Sequence, residues 1–149
     1  MSQQSVLTAI YDYINPVSSS GTVFKTAFGG TDSVRGRIFQ SQASQDTVLP
    51  LCIFDVTTEE TTAYLDQQTV SMHEMTLVVV IYVRLVDGVA VGMTSENMLF
   101  DLLHMATITT TDTDIATIRS ICTSRGVPTI LSDAVSITTS YRVLVSKQS

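Results

Sequence analysis

Charged residues are scarce in this chain, and basic residues are the scarcer kind. Only 15% of the 149 residues are charged, and 8 basic residues stand against 14 acidic ones, for a formal net charge of −6 at pH 7. Nucleic-acid binding relies on lysine and arginine side chains that neutralise phosphates. The composition therefore disfavours sequence-specific DNA binding. An acidic surface also suits a channel through which DNA slides without sticking, but ordinary solubility accounts for the same charge far more often.

Long hydrophobic runs are missing, and there are only two cysteines. The longest apolar run, residues 77–83, is far shorter than the roughly 18 residues that span a bilayer. The N-terminus lacks the basic segment of a signal peptide. Cys52 and Cys122 lie far apart in apolar stretches, which favours two buried thiols and leaves a disulfide open. We expect a soluble intracellular protein that does not contact membranes.

Motifs of catalysis and cofactor binding are also missing. His73 and His104 have no HExxH, HxH or CxxC spacing around them, whereas zinc needs three or four convergent ligands. No phosphate-binding glycine loop, dinucleotide fingerprint or nucleophile elbow is present. We therefore expect no enzyme activity, no metal and no cofactor.

The apolar residues that are present recur with helical periodicity in two segments. In "SVLTAIYDYINP" they recur every three or four residues, which predicts a helix that ends before Pro16. "MTSENMLFDLLHMATI" predicts a second helix capped by Thr94 or Ser95, preceded by a turn over "DGVAVG".

Alternating or continuous apolar residues predict the strands. Strands are expected over 34–40, from near Leu51, over 71–86, over "IATIRSICTSRG", and over "AVSITTSYRVLVSK". The segment 71–86 is apolar on both alternating faces in its middle, which predicts a central strand buried on both sides. The expected core consists of Val79, Ile81, Val83, Leu99, Leu102, Leu103, Val143 and Val145.

A threonine-rich segment, "TTEETTAYLDQQTVS", joins two of these strands without glycine or proline. Threonine is a good strand former, so the two strands are expected to form one long antiparallel hairpin that projects around residues 57–69. Such a surface suits pairing with other subunits. The candidate interface residues are Thr58, Glu59, Glu60, Thr62, Tyr64, Asp66 and Gln68. The whole chain, 1–149, is expected to be one α+β domain with a mostly antiparallel sheet and two helices on one face.

The order of these segments resembles the tail terminator or tail completion proteins of long-tailed bacteriophages. The resemblance covers roughly residues 5–147: a helix before a proline, "RGRIFQSQASQDTVLPLCIFDV", a long hairpin, "LVVVIYVR", a helix like "SENMLFDLLHMA", and two closing strands. "TVLPLCIFDV" with the hairpin after it is the most specific part. The unusual threonine content and the length of "SSSGTVFKTAFGGTD" depart from the family's pattern.

The resemblance implies a virion structural protein in the neck that forms a ring, commonly a hexamer, on the completed tail tube. Such a ring ends tail polymerisation and offers the joining surface for the head. The implied partners are further copies of itself, the tail tube protein and the head-tail connector, with DNA only as passing cargo. The implied location is the virion, after assembly in the host cytoplasm. The alternative is a small dimeric α+β ligand-binding or enzyme domain.

Overall fold

The computed structural model of the chain describes residues 3–18, 23–43, 47–65 and 70–148. Within them, three helices and seven strands form an α+β fold with one mostly antiparallel, strongly curled sheet, as predicted. The helices are α1 (Gln3–Ile14), α2 (Val23–Thr26) and α3 (Val89–Leu103). The strands are β1 (Ile38–Gln40), β2 (Leu51–Leu65), β3 (Val70–Arg84), β4 (Ala106–Ile108), β5 (Ile115–Ser124), β6 (Thr129–Ile130) and β7 (Ala134–Gln148).

The sheet has the strand order β1-β2-β3-β7-β5-β4, and β6 pairs with the start of β7. β2 begins at Leu51, as the proline before it predicts, and forms a long antiparallel hairpin with β3. β7 pairs with β3 along its entire length, from Arg84 to Val70. The outer half of β3 therefore lies inside a wider sheet, with β2 at its side.

β3 is a central strand, but the prediction that it is buried on both faces is wrong. Alternate residues such as Val79 and Ile81 are buried under the helices, whereas Val78, Val80 and Tyr82 on the other face are half-buried. The helices cover only one face of the sheet, so nothing within the described part of the chain screens the second face fully. Apolar side chains on both faces thus do not require two covering layers.

The predicted core is confirmed with one exception. Seven of the eight residues are buried, and Leu102 is half-buried. Pairing across the strands brings core residues into contact: Ile81 lies in register with Cys52 on one side and Ile137 on the other. Such rows of apolar side chains stabilise neighbouring strands and form the floor on which the helices pack.

α1 packs its apolar stripe against the sheet. Val6, Ile10 and Ile14 are fully buried, and the ring of Tyr11 stacks on Phe54 of β2 at a centroid distance of 6.0 Å. The Tyr13 hydroxyl donates a hydrogen bond to the backbone carbonyl of Leu102, which ties α1 to α3. The amphipathic pattern thus predicted both the helix and its buried face.

The start of the second helix was predicted wrongly. α3 begins at Val89, inside the segment expected to be a turn, and Gly88 at φ 92° is its N-cap. Thr94 and Ser95 are interior residues whose hydroxyls donate to the carbonyls of Ala90 and Val91, so neither caps the helix. A glycine in the sequence therefore does not by itself distinguish a turn from the interior of a helix. Here Gly92 lets α3 approach the sheet, because a Cβ there would lie 2.9 Å from Cδ1 of Ile137.

α3 also ends earlier than predicted, at Leu103. Met105 has a positive φ of 62°, and the residues after it form β4, which pairs with β5. Ala106 therefore belongs to a strand and not to the helical stripe. The main-chain hydrogen bonds of β4 outweigh the helical pattern of the side chains.

Two predicted strands differ from the structure in detail. The strand expected over 34–40 is shorter, because Val34 pairs back to Thr31 and the Gly36 backbone is held by the Asn15 side chain at 2.7 Å. β5 does not alternate strictly, since a bulge after Ile115 turns both Ile115 and Ile118 toward the core. A bulge adds one residue to a strand, so the period of two slips by one position.

Candidate assembly surface

The outer half of β2 is an open edge of the sheet. β1 pairs with β2 only at residues 52–54, and among the described strands none lies beside residues 57–65 on the side away from β3. At roughly 3.3 Å per residue this edge is about 30 Å long. We call residues 57–65 the β2 outer edge. An edge strand offers a row of main-chain donors and acceptors to another chain.

The candidate interface residues fall mainly on this edge. Thr58, Glu59, Glu60, Thr62 and Tyr64 lie in β2, and Asp66 and Gln68 lie outside the described residues. Glu60 is in register with Glu74 of β3, and Tyr64 with Ser71. The strand pairing of the expected hairpin is therefore present in the described residues, whereas its projection and an interface on it stay predictions.

Two irregularities interrupt the edge. The pairing of β2 with β3 shifts between Val56 and Glu59 and again between Thr61 and Ala63, so β2 carries additional residues at both places. Bulges and charged residues are devices that keep edge strands from indiscriminate pairing. A partner of this edge must therefore offer complementary charge as well as main-chain groups.

The opposite side of the sheet ends in β4. Within the described chain, β4 has a strand neighbour on one side only, which is β5. Arg119 of β5 is exposed and lies in register with Thr107 of β4. We call β4 together with Arg119 the β4–β5 edge.

His104 covers the margin of the sheet at β5, next to the end of β4. Its Nδ1 accepts a hydrogen bond from the backbone N–H of Cys122 at 3.2 Å, and its ring stacks on Phe100 at 4.6 Å. This contact satisfies an N–H of β5 beyond the end of β4. The histidine thus has a structural role here, and it lies on a different element from His73, which is in β3.

The sheet face opposite the helices carries hydroxyl groups and half-buried apolar side chains. Ser136 and Ser140 are half-buried and Thr138 is exposed, as the alternation of β7 predicts. Arg142 on the same face forms an ion pair with Glu74 of β3. This face is amphipathic, which suits contact with another protein surface better than contact with water alone.

At the end of the sheet away from the hairpin tip lies an open groove of about 660 Å³. It is lined by Val48, Leu49, Arg84, Leu85, Val86, Ser132 and Asp133. Val48 and Val86 are strongly exposed, but Arg84 is already paired with Asp87 at 2.9 Å. The groove therefore has apolar walls and few polar groups that converge on one point.

Several ionisable groups of the described residues form structural contacts. Glu96 of α3 is buried and accepts hydrogen bonds from Nε and Nη2 of Arg125, whose guanidinium also lies 4.2 Å from the centre of the Phe100 ring. Burial raises the pKa of the Cys52 thiol, and it is also the main cause that raises the pKa of Cys122. Both cysteines are free thiols, and raised pKa values make them poor nucleophiles.

The described part of the chain also lacks metal and membrane-spanning sites. No group of three or more His, Cys, Asp or Glu side chains is arranged there to hold a metal ion. Each helix that the structure describes falls short of the length and apolar character needed to span a membrane.

Sequence reasoning did not single out the β4–β5 edge or Arg119. In the sequence, Arg119 is only one arginine within a predicted alternating strand. Its position near a sheet margin depends on β4, which the sequence pattern assigned to a helix.

Comparisons with known proteins give the fold a context. No protein-family model matches the chain, and no curated protein matches it in sequence. A solved chain from the virion of a native gene transfer agent (GTA) particle is similar, with a TM-score of 0.58 and 12% identity over 97% of this chain and 93% of that chain. Another solved chain, whose name states no function, has a TM-score of 0.57 and 13% identity over 97% and 96% of the two chains. At identities this low, the structural similarity shows a shared fold alone.

Proposed function

We propose that this protein is a virion structural component that forms a ring, most simply a hexamer, at the head-proximal end of a phage tail tube. There it ends tail polymerisation and offers the joining surface for the head connector. Its partners are further copies of itself, the tail tube protein and the connector, and DNA passes through the ring as cargo. The protein is assembled in the host cytoplasm and resides in the virion neck.

The open β2 outer edge is the observation that carries this proposal. On the side away from β3, β2 continues for about 30 Å without a neighbour among the described strands. Its main-chain groups there can pair with a partner chain. The fold that the chain shares with a chain from the virion of a native gene transfer agent particle also supports a role in a virion. The terminator role itself rests on the sequence resemblance described above.

The proposed role is structural and not catalytic. Each of the two histidines lies on a different element, and the described cysteines have raised thiol pKa values. A general base needs a nucleophile or a proton donor within reach. The acidic net charge fits passage of DNA without tight binding, since attraction of phosphates requires basic groups.

The test is a mass measurement in solution combined with negative-stain imaging, with and without purified tail tubes. We expect rings, either alone or on the ends of tubes, because a tube end provides a template for subunits that remain monomeric when dilute. Tails made without the protein should be irregular in length or lack heads. A monomer that also fails to bind tail tubes would contradict the proposal.

A second candidate function is a small dimeric ligand-binding or enzyme domain. The groove lined by Val48, Arg84 and Ser132 is the observation that favours it, since ligand sites are concave and largely apolar. A stable dimer, together with a ligand-induced rise in melting temperature that is lost in Ser132→Trp, would support this candidate over the ring.

A further inference from the structure

We propose that the β2 outer edge of one copy docks on the β4–β5 edge of the next copy, with Glu60 beside Thr107 of β4 and at the level of Arg119 behind it. This inference rests on the proposed ring and names the partner of its open edge. The occupant is a second copy of the same chain. The contact is heterologous, because the two copies contribute different surfaces.

Arg119 carries the first step of the argument, because its charge has no partner among the described residues. Its side chain is exposed, and none of the described residues forms a hydrogen bond, ion pair or ring contact with that side chain. The other cations with described side chains are all engaged: Lys25 with Pro16, Arg35 with Asp12, Arg37 with Pro50, Arg84 with Asp87, Arg125 with Glu96 and Arg142 with Glu74. Among the cations with described side chains, Arg119 thus remains available to an acidic partner.

The register of the sheet carries the second step. One row of paired residues crosses the whole sheet and runs through Glu60, Glu74, Leu144, Arg119 and Thr107. Glu60 and Arg119 therefore lie at the same level, near opposite margins of the sheet. Copies in a closed ring are related by rotation without translation along the axis. In a ring whose axis follows the strands, the β2 outer edge of one copy meets the β4–β5 edge of the next at this level.

The strand directions are compatible with main-chain pairing across this contact. Four antiparallel pairings connect β2 to β4 through β3, β7 and β5, so β2 and β4 run in the same direction. Side by side in neighbouring copies they can pair as parallel strands. The sheet would then continue from one subunit to the next.

Charge also excludes the symmetric alternative, in which two copies join through the same edge. The β2 outer edge carries Glu59 and Glu60 and no basic residue, so two such edges would bring like charges together. The net charge of −6 adds a general repulsion between copies. A contact that pairs an acidic edge with a basic one offsets both effects.

The experiment compares Glu60→Arg, Arg119→Glu and the double variant, with self-association measured by sedimentation and ring formation on tail tubes scored by imaging. We expect each single variant to assemble about tenfold more weakly or worse, since like charges would face each other at every contact. The double variant should assemble like the wild type. An equimolar mixture of the two single variants should also assemble, because alternating copies restore opposite charges at each contact.

The matched control is Asp101→Arg, which changes the net charge by the same amount as Glu60→Arg but lies exposed on α3. It should assemble like the wild type. Circular dichroism and melting curves should be unchanged in all variants, which separates assembly from folding. A mixture of wild type with Glu60→Arg that assembles better than wild type alone would reveal the symmetric contact and overturn the proposal.

The remaining outcomes distinguish a failure of the Glu60–Arg119 contact from a failure of the proposed ring. Wild-type rings together with unaffected single variants, or with a double variant that fails to recover, would overturn the Glu60–Arg119 contact and leave the ring in place. A wild type that neither self-associates nor caps tubes would overturn both.

Discussion

Ile81 illustrates at the scale of a single residue how the core is held together. It is fully buried in the central strand and lies in register with Cys52 and Ile137, apolar residues of the two neighbouring strands. We expect Ile81→Ala to lower the free energy of unfolding by about 2 to 5 kcal/mol, as large-to-small changes in cores do. Urea unfolding measures the loss. Val86→Ala is the control, because that side chain is 84% exposed, and an equal loss in both variants would contradict this assignment.

Arg125 shows a different kind of dependence, since it neutralises a carboxylate that water hardly reaches. The Glu96 side chain is only 8% exposed and lies 2.7 Å from the guanidinium of Arg125. We expect Arg125→Ala to destabilise the protein by about 1 to 3 kcal/mol, because a buried charged group loses its hydrogen bonds. Adding Glu96→Gln to this variant should recover part of the loss, since a neutral amide is less costly to bury.

Arg84→Ala is the matched control for this prediction. Arg84 pairs with Asp87 at a similar distance of 2.9 Å, but its side chain is 58% exposed. Exposed pairs contribute about 0 to 1 kcal/mol, so this variant should unfold close to the wild type. Equal losses in the two arginine variants would show that burial of Glu96 has no influence.

At the scale of elements, the turn between β5 and β6 depends on one glycine. A Cβ on Gly126 would lie 1.9 Å from the carbonyl oxygen of Thr138 in β7, and a backbone atom cannot move aside as a flexible side chain can. We expect Gly126→Ala to cost about 1 to 3 kcal/mol, as overpacking does. The melting temperature should fall by about 2 to 4 °C for each kcal/mol in a chain of this size.

Val127→Ala is the comparison for this turn, since the neighbouring side chain is 78% exposed. It should melt within error of the wild type. A Gly126→Ala protein with an unchanged melting temperature would mean that the turn can separate from β7 at little cost.

The hairpin is the element in which stability and assembly are expected to separate. Residues 62–72 can be replaced by Asn-Gly, a dipeptide that favours two-residue hairpin turns, while Thr61 keeps its pairing with His73. The hairpin tip is expected to lie at the surface, so the change in stability should be on the order of 0.5 kcal/mol. The shortened protein should fold and yet fail to cap tail tubes. Normal tail length and titre in a terminator-deficient phage that carries it would rule out this role.

At the scale of the whole molecule, the described helices and strands cover the sheet unevenly. The helices cover one face of the sheet, β1 covers β2 only at residues 52–54, and β4 covers a short part of β5. Two margins and one face remain for other chains. Head-to-tail assembly uses both margins of every copy, which is the arrangement that a closed ring requires.

Local patterns in the sequence determined the helices and most of the strands. The alternation in β7 predicted which side chains are buried, and Pro50 fixed the start of β2 at Leu51, because these features depend only on neighbours along the chain. The tertiary structure decided where the patterns stop. α3 extends through Gly92 because the sheet accepts a helix without a side chain at that position, and β5 slips by one residue at its bulge.

The assembly surface was the least predictable part, since it depends on strand order and register. The sequence identified the acidic hairpin segment with Glu59 and Glu60. That β2 lies near one margin, and that Glu60 and Arg119 share a row, follows from pairings between β3 and β7, which are about sixty residues apart in the chain. Hydrophobic periodicity records which face of a strand is buried. It does not record which strand lies beside it, because that choice depends on how the distant segments fit together over one core.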